Sequence, residues 1–237
     1  MNVVMNKGNV CCIKDFLTSD EADYINQFCR VIPPSTGSTG KQELYVDPDA
    51  PNLEERGMGQ TDPNIRSSEI RWLDSGTLPE EMVTKIYTQT QQVVSEVMKS
   101  TLEFYITEQW QHTTYYGCKD FGDHYTWHQD DQFISQYPYV DGNGAPFIRK
   151  ISASLILNDP SEYEGGDFQF VEWERVFDRI PENGKLDVNN QIWTMPYSST
   201  AKGSIVIFPS LTHHRIKPVK WGTRNSLVMW FGGAPYV

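Results

Sequence analysis

A mainly β fold, a sandwich or jelly roll with helices packed on one sheet, is what this sequence predicts. Three observations predict it. From Phe104 onward, short apolar or alternating segments recur at 104–116, 124–130, 147–157, 167–173, 204–209, 213–219 and 223–231. Turn residues separate them, notably Gly165-Gly166, Pro209-Ser210 and Trp221-Gly222. Ahead of them lie two stretches with helical periodicity, and several strands following two helices point to a helical layer on a sheet. Aromatic residues make up 13% of the chain, which suits a pleated, half-buried surface.

The first helix is expected over residues 18–32. Thr18 and Glu21 have the spacing of a capping box, and Ala22, Ile25, Cys29 and Ile32 line one face. Residues 33–64 are rich in Pro, Gly, Ser, Thr and Asp with no sustained period, and read as a long irregular loop of the kind that is often functional. A second helix is expected from Pro79 to about Lys99. Proline suits its first turn, and Met82, Val83, Ile86, Val93, Val94 and Val97 supply its buried stripe. At 237 residues the chain fits one structural domain. Within it, residues 1–103 form an N-terminal helical layer and loop, and 104–237 form the β core.

Composition limits the function classes. A net charge of −11, with 20 Lys plus Arg scattered without a run, argues against nucleic acid as a partner. The cysteines at 11, 12, 29 and 118 make neither a metal-ligand spacing nor a disulfide framework. There is no apolar run long enough for a membrane span, and the N-terminal residues lack a signal-peptide pattern. The expectation is a cytoplasmic protein without a membrane partner. Oligomeric state is left open.

The chemistry-bearing signal begins at His128-Gln129-Asp130. Residues i and i+2 of a strand point to one face, so an imidazole and a carboxylate there converge. Two histidines and one carboxylate on one face of an ion form the facial triad of non-haem iron oxygenases, which leaves positions open for other ligands. The tripeptide by itself is weak evidence and more often a pair of surface residues.

The second half lies in His213-His214-Arg215-Ile216-Lys217-Pro218-Val219-Lys220-Trp221-Gly222-Thr223-Arg224. This segment resembles the His-x-Val-x-Pro-Val-x-x-Gly-x-Arg motif of the prolyl 4-hydroxylase and PKHD-type hydroxylase group of Fe(II)/2-oxoglutarate oxygenases, with Ile216 in place of the Val. Tyr163-Glu164-Gly165-Gly166-Asp167-Phe168, after the strand Arg149 to Leu157, is similar to the family's Tyr-x-Gly-Gly turn. Lys202-Gly203-Ser204-Ile205-Val206-Ile207-Phe208-Pro209-Ser210 resembles its later strand, and Gly122 and Tyr125 fit its Gly-x-x-Tyr-x-x-His-x-Asp. The resemblance covers about residues 104–231, and weakly Arg66–Leu73 and the first helix.

The resemblance implies a double-stranded β-helix (jelly roll, cupin-like), with Fe(II) held by His128, Asp130 and His214. It implies 2-oxoglutarate as cosubstrate, its far carboxylate on Arg224 with a hydroxyl bond from Ser226, O2 as oxidant and ascorbate as a further reductant. The implied reaction is hydroxylation of an unactivated carbon with release of succinate and CO2. The substrate would be a prolyl or lysyl residue of a peptide or protein, or a free amino acid. Asp130, which halogenating relatives replace by a small residue, favours hydroxylation. Strand alternation turns His213 away as a packing or solvent residue.

Two departures stand out. Where the family often has a Tyr contacting 2-oxoglutarate, this chain has Lys119, and a local shift would bring Tyr116 into that role. Residues 174–200 are longer than expected, and their Trp193, Met195 and Tyr197 either line a substrate cleft or simply pack. The 33–64 loop and this insertion are expected to act as lids that choose the substrate. The reading from another class is a catalytically silent jelly-roll module that binds a metal or ligand.

Overall fold

The computed structural model describes residues 1–38, 62–74, 76–131, 139–140, 146–172, 191–195 and 201–235. Most of the 33–64 loop and most of the 174–200 insertion, Tyr197 included, lie outside the described residues, and so does the expectation that they act as lids.

In chain order the strands are β1 (Asn2–Lys7), β2 (Val10–Lys14), β3 (Ser35–Thr36), β4 (Arg66–Ser67), β5 (Glu69–Leu73), β6 (Tyr105–Ile106), β7 (Trp110–Tyr116) and β8 (His124–His128). They continue as β9 (Tyr139–Val140), β10 (Pro146–Ile156), β11 (Tyr163–Gly165), β12 (Phe168–Val171), β13 (Ile192–Thr194), β14 (Ile205–Pro209), β15 (His214–Ile216) and β16 (Val219–Gly233). The helices are α1 (Ser19–Cys29) and α2 (Glu80–Gln92). The larger sheet runs β1-β2-β14-β10-β16-β7-β5-β3, with β11 and β6 also pairing with β16 and β9 with β10. The smaller runs β13-β12-β15-β8-β4. This is the mainly β, double-stranded β-helix architecture that the sequence predicts.

α1 starts as expected. Thr18 accepts from the Glu21 amide at 3.2 Å while the Glu21 carboxylate accepts from the Thr18 amide at 2.8 Å, so two otherwise orphaned donors are satisfied. α2 follows Pro79 but does not run on as α-helix. It widens into a π-helical turn over Val93–Val97. Its stripe still packs, with Ile86, Val93 and Val94 buried and Met82, Val83 and Val97 against them.

The N-terminal part is less helical than expected. Val10-Cys11-Cys12-Ile13 is a buried strand pairing with β14, and β1 folds back on it through Gly8-Asn9. Both turn residues have positive φ, 53° and 62°, as a two-residue hairpin turn of this hand requires. A four-residue apolar run without alternation is silent about strand or helix, which is why it escapes a periodicity reading. The Trp221-Gly222 pair is not a turn either, since β16 passes straight through it. Gly222 has φ +74°, and a Cβ there would lie 2.0 Å from the Glu162 carbonyl oxygen. The missing side chain therefore lets Tyr163 of β11 pair closely opposite Gly222 of β16.

The two faces of the large sheet bury two cores. Leu155, Ile205, Ile207, Leu227, Met229 and Phe231 pack under α1 and α2. Val10, Cys12, Tyr115, Phe168, Phe170, Val206, Phe208 and Ile216 fill the space between the sheets. All four cysteines are free, Cys118 alone being exposed. Among the described residues no helix is long and apolar enough to cross a membrane.

His112 of β7 lies buried under α1, its Nε2 3.1 Å from Asn26 Oδ1. Burial, then the Arg71 and Arg30 charges, push its pKa down to about 4. The unfolded chain, with His112 near its ordinary 6.5, binds the proton that the folded chain refuses between about pH 6.5 and 4. That contribution is complete above about pH 6.5 and lost as pH falls towards 4. Thermal unfolding of the metal-free protein should show a shallower slope in this window for His112→Gln than for the parent. Parallel slopes would place the acid sensitivity elsewhere.

Candidate metal and cosubstrate site

The site lies between the two sheets. His214 of β15 and His128 of β8 are direct cross-strand partners, with ring centroids 4.1 Å apart. Asp130 lies two residues past His128 and beyond the end of β8. It is fixed there because its amide and that of Asp131 both donate to the Ser210 carbonyl, at 2.9 and 3.1 Å. Convergence thus comes from the end of a strand held by its neighbour, and not from strict strand alternation. Asp130 Oδ1 is 3.6 Å from His128 Nε2, and Asp130 Oδ2 is 3.8 Å from His214 Nε2. These separations are too long for hydrogen bonds.

Each imidazole is oriented from behind. His128 Nδ1 is 2.7 Å from the Thr126 carbonyl oxygen, and His214 Nδ1 is 2.8 Å from that of Thr212. A carbonyl only accepts, so each Nδ1 carries a proton and each Nε2 is turned towards Asp130. Burial, then the neighbouring His214, push the His128 pKa down to about 3, so the ring is neutral at physiological pH. For Asp130 burial opposes ionisation, but His214, His128, Arg149 and a hydrogen bond from Ser152 outweigh it and hold the carboxyl below its usual range. The donor atoms of all three residues lie within 4.8 Å of one another. Two imidazoles and a carboxylate on one side of a shared point are a donor set that fits Fe(II). His213 is not brought into this group.

Deeper along β16, Arg224 is buried, 2% exposed, and on the same strand face as Ser226, Val228 and Trp230. Its Nη1 donates to Ser226 Oγ at 3.3 Å, and its guanidinium carbon lies 5.6 Å from the Tyr115 ring centroid. Among the described residues no carboxylate lies within ion-pair distance of it. A buried cation without a counter-charge is costly unless something anionic completes it. A dicarboxylate cosubstrate fits that need, with a planar fork to receive one end.

Gly166 makes room for this arginine. Its φ is +65°, and a Cβ there would lie 2.7 Å from Arg224 Cδ. Gly166→Ala should therefore weaken 2-oxoglutarate binding while sparing metal binding, at a backbone cost of about 1–2 kcal/mol. Equilibrium titration of each ligand checks this, and equal losses for both would mean a general disturbance.

The remaining sequence candidates separate cleanly. Tyr125 lies against the metal group, stacked on His128 at 3.4 Å between centroids with the planes 14° apart. Tyr116 is turned outward, 46% exposed, with its hydroxyl on Glu69 at 3.2 Å. Tyr115, its neighbour, is the tyrosine opposite Arg224 in the β7–β16 register. Lys119 is exposed in the connection after β7 and is not in the interior. Within the insertion, Met195 is core and Trp193 packs, its indole donating to Glu172 at 2.8 Å with the Lys7 ammonium 4.6 Å above the ring.

Sequence reasoning missed the wall around the triad. Arg66 of β4 is buried, donates to Gln111 at 2.6 Å, Ser68 at 2.9 Å and the Ser38 carbonyl at 3.2 Å, and lies 4.8 Å over the Tyr125 ring. Trp230 and Trp72 face each other at 6.0 Å. Period-two counting from Arg224 places Trp230 on its face, so that signal was available. A two-residue strand such as β4 has no period to read.

A family model for the 2OG-Fe(II) oxygenase superfamily matches residues 102–232. The chain belongs to that superfamily. Fe(II), 2-oxoglutarate and O2 are accordingly its cofactor set, and the donor group and Arg224 fit them. A PKHD-type hydroxylase of Xylella fastidiosa is 29% identical over 116 residues, 48% of this chain and 42% of that relative. The chain thus covers less than half the length of such curated relatives. Among solved structures, a Pseudomonas putida prolyl-4-hydroxylase superposes with a TM-score of 0.55 at 18% identity, over 94% of this chain and 92% of that one. A Trichoplax adhaerens prolyl hydroxylase in complex with a hypoxia inducible factor peptide fragment gives 0.58 at 14%, over 94% and 83%. At such identities the superpositions establish the shared fold.

Proposed function

We propose that this protein hydroxylates an unactivated carbon of a prolyl residue in a peptide or protein, with a lysyl residue or a free amino acid as the wider substrate class. The carrying observation is one interior that holds both the His128–Asp130–His214 donor group and a buried Arg224 that has no carboxylate within ion-pair distance among the described residues. Iron and 2-oxoglutarate, when bound, supply the oxidising power that places one oxygen atom of O2 in the substrate, with succinate and CO2 as coproducts.

The chain's own residues bind and orient. His128, Asp130 and His214 are the metal ligands, and the Thr126 and Thr212 carbonyls aim the two imidazoles. Arg224, steadied by Ser226 and flanked by Tyr115, receives the far carboxylate of the cosubstrate. Tyr125, Arg66, Trp230 and Trp72 form the substrate side of the centre. Their aromatic faces and hydrogen-bonded guanidinium suit a backbone with an apolar ring better than a small, fully hydrated solute. The peptide bound to the Trichoplax neighbour lends support to a peptide substrate, as do the hydroxylase names of the relatives.

The test is incubation with Fe(II), ascorbate and 2-oxoglutarate, with and without proline- and lysine-containing peptide libraries. Succinate and peptide mass are the readouts. Peptide-dependent succinate with gain of one oxygen by the peptide is expected. Tight binding of metal and 2-oxoglutarate with no succinate under any condition would favour the silent binding module.

A further inference from the structure

We propose that Arg149 is a positioning residue for the metal-binding carboxylate, clamping Asp130 through its backbone. The proposal rests on the metal reading above. Asp130 needs such a clamp because it lies past the end of β8, where no strand ladder holds it. Its amide is tied to Ser210, as described, and its carbonyl accepts from Arg149 Nη1 at 3.3 Å. The next residue closes the loop, since the Asp131 carboxylate accepts the Arg149 amide. The side chain and the main chain of one residue on β10 therefore grip both Asp130 and Asp131.

The guanidinium is itself fixed. Its Nε and Nη2 meet the two carboxylate oxygens of Glu108 at 2.7 and 2.6 Å, a bidentate fork, and its face lies 4.1 Å from the Trp230 ring centroid. A planar group gripped along one edge and one face has no freedom left in its remaining nitrogen, which points at the Asp130 carbonyl. Beyond the charge that helps keep the Asp130 carboxyl ionised, Arg149 adds direction. A ligand on a chain end gains most from such support, and loss of partners behind metal ligands costs about 10–100-fold in metal affinity or activity.

Co(II) is the probe, because its visible d–d absorption reports ligand geometry as well as occupancy, and it is titrated into the metal-free protein without substrate. Arg149→Met should weaken Co(II) binding by about 10–100-fold and alter the band shape. Arg149→Lys, which keeps charge but cannot form the fork, should restore little. Glu108→Gln should fall between the parent and Arg149→Met, and it decides the matter alone if Arg149→Met does not fold. Unchanged Co(II) affinity in Glu108→Gln, or in a folded Arg149→Met whose only defect is a raised KM for peptide, overturns the proposal and makes Arg149 a substrate contact. A parent protein that takes up no Co(II) would instead overturn the metal reading itself.

Discussion

Asp130→Ala or His214→Ala is expected to abolish metal retention and turnover together, whereas His213→Ala keeps most of both. The asymmetry between adjacent histidines follows from β15. His214 pairs with His128 and directs Nε2 at Asp130, while His213 contributes a backbone carbonyl that accepts from Val171 at 2.9 Å, a bond alanine preserves. Asp130→Ala leaves the amide bond to Ser210 intact, so the chain path should survive and the loss should be of binding and not of fold. Because partners behind the ligands already cost about 10–100-fold, removal of a ligand should exceed roughly a hundredfold. Metal content after gel filtration and succinate release are the two measurements. An inactive His213→Ala beside an active His214→Ala would mean that β15 is assigned in the wrong register.

That register shows what a sequence can and cannot disclose. The grouping of His128 with His214 and the burial of Arg224 were legible because motif spacing carries them and because β16 is long enough for alternation to be counted. α1 was legible because Thr18 and Glu21 state its start in local chemistry. The expected Tyr116 or Lys119 contact did not foresee Tyr115, since adjacent residues on one strand take opposite faces. Only the pairing of β7 with Arg224 on β16 selects Tyr115. Asp130 shows the converse, where a residue that does join the donor group was reached by an incomplete reason. Strand alternation suggested convergence, but Asp130 lies past the end of β8, its amide donating to the Ser210 carbonyl and its own carbonyl accepting from Arg149. The β1–β2 hairpin and Arg66 were hidden for another reason. One is too uniformly apolar to show a period, and the other sits on a strand too short to have one.

Arg224→Met is the variant in which stability and function should part most clearly. In the metal-free, cosubstrate-free protein the guanidinium is buried, and among the described residues no carboxylate lies within ion-pair distance. Methionine keeps much of the volume and removes the charge. The unfolding temperature should therefore hold or rise, since replacing buried ionic groups by packed apolar ones is often neutral or stabilising. Cosubstrate binding should move the other way. Removing one partner of a buried charged pair costs about 3–5 kcal/mol, which is some two to nearly four orders of magnitude in affinity. Metal binding should persist, because His128, Asp130 and His214 belong to other strands and have their own supports. Calorimetric titration of 2-oxoglutarate under nitrogen, with a thermal melt of the same sample, reads both effects. Unchanged cosubstrate affinity would move the carboxylate anchor to another cation, with Arg66, beside Tyr125, the next in line. A fall in affinity matched by a fall in unfolding temperature would mean that Arg224 serves the fold first and the cosubstrate only through it.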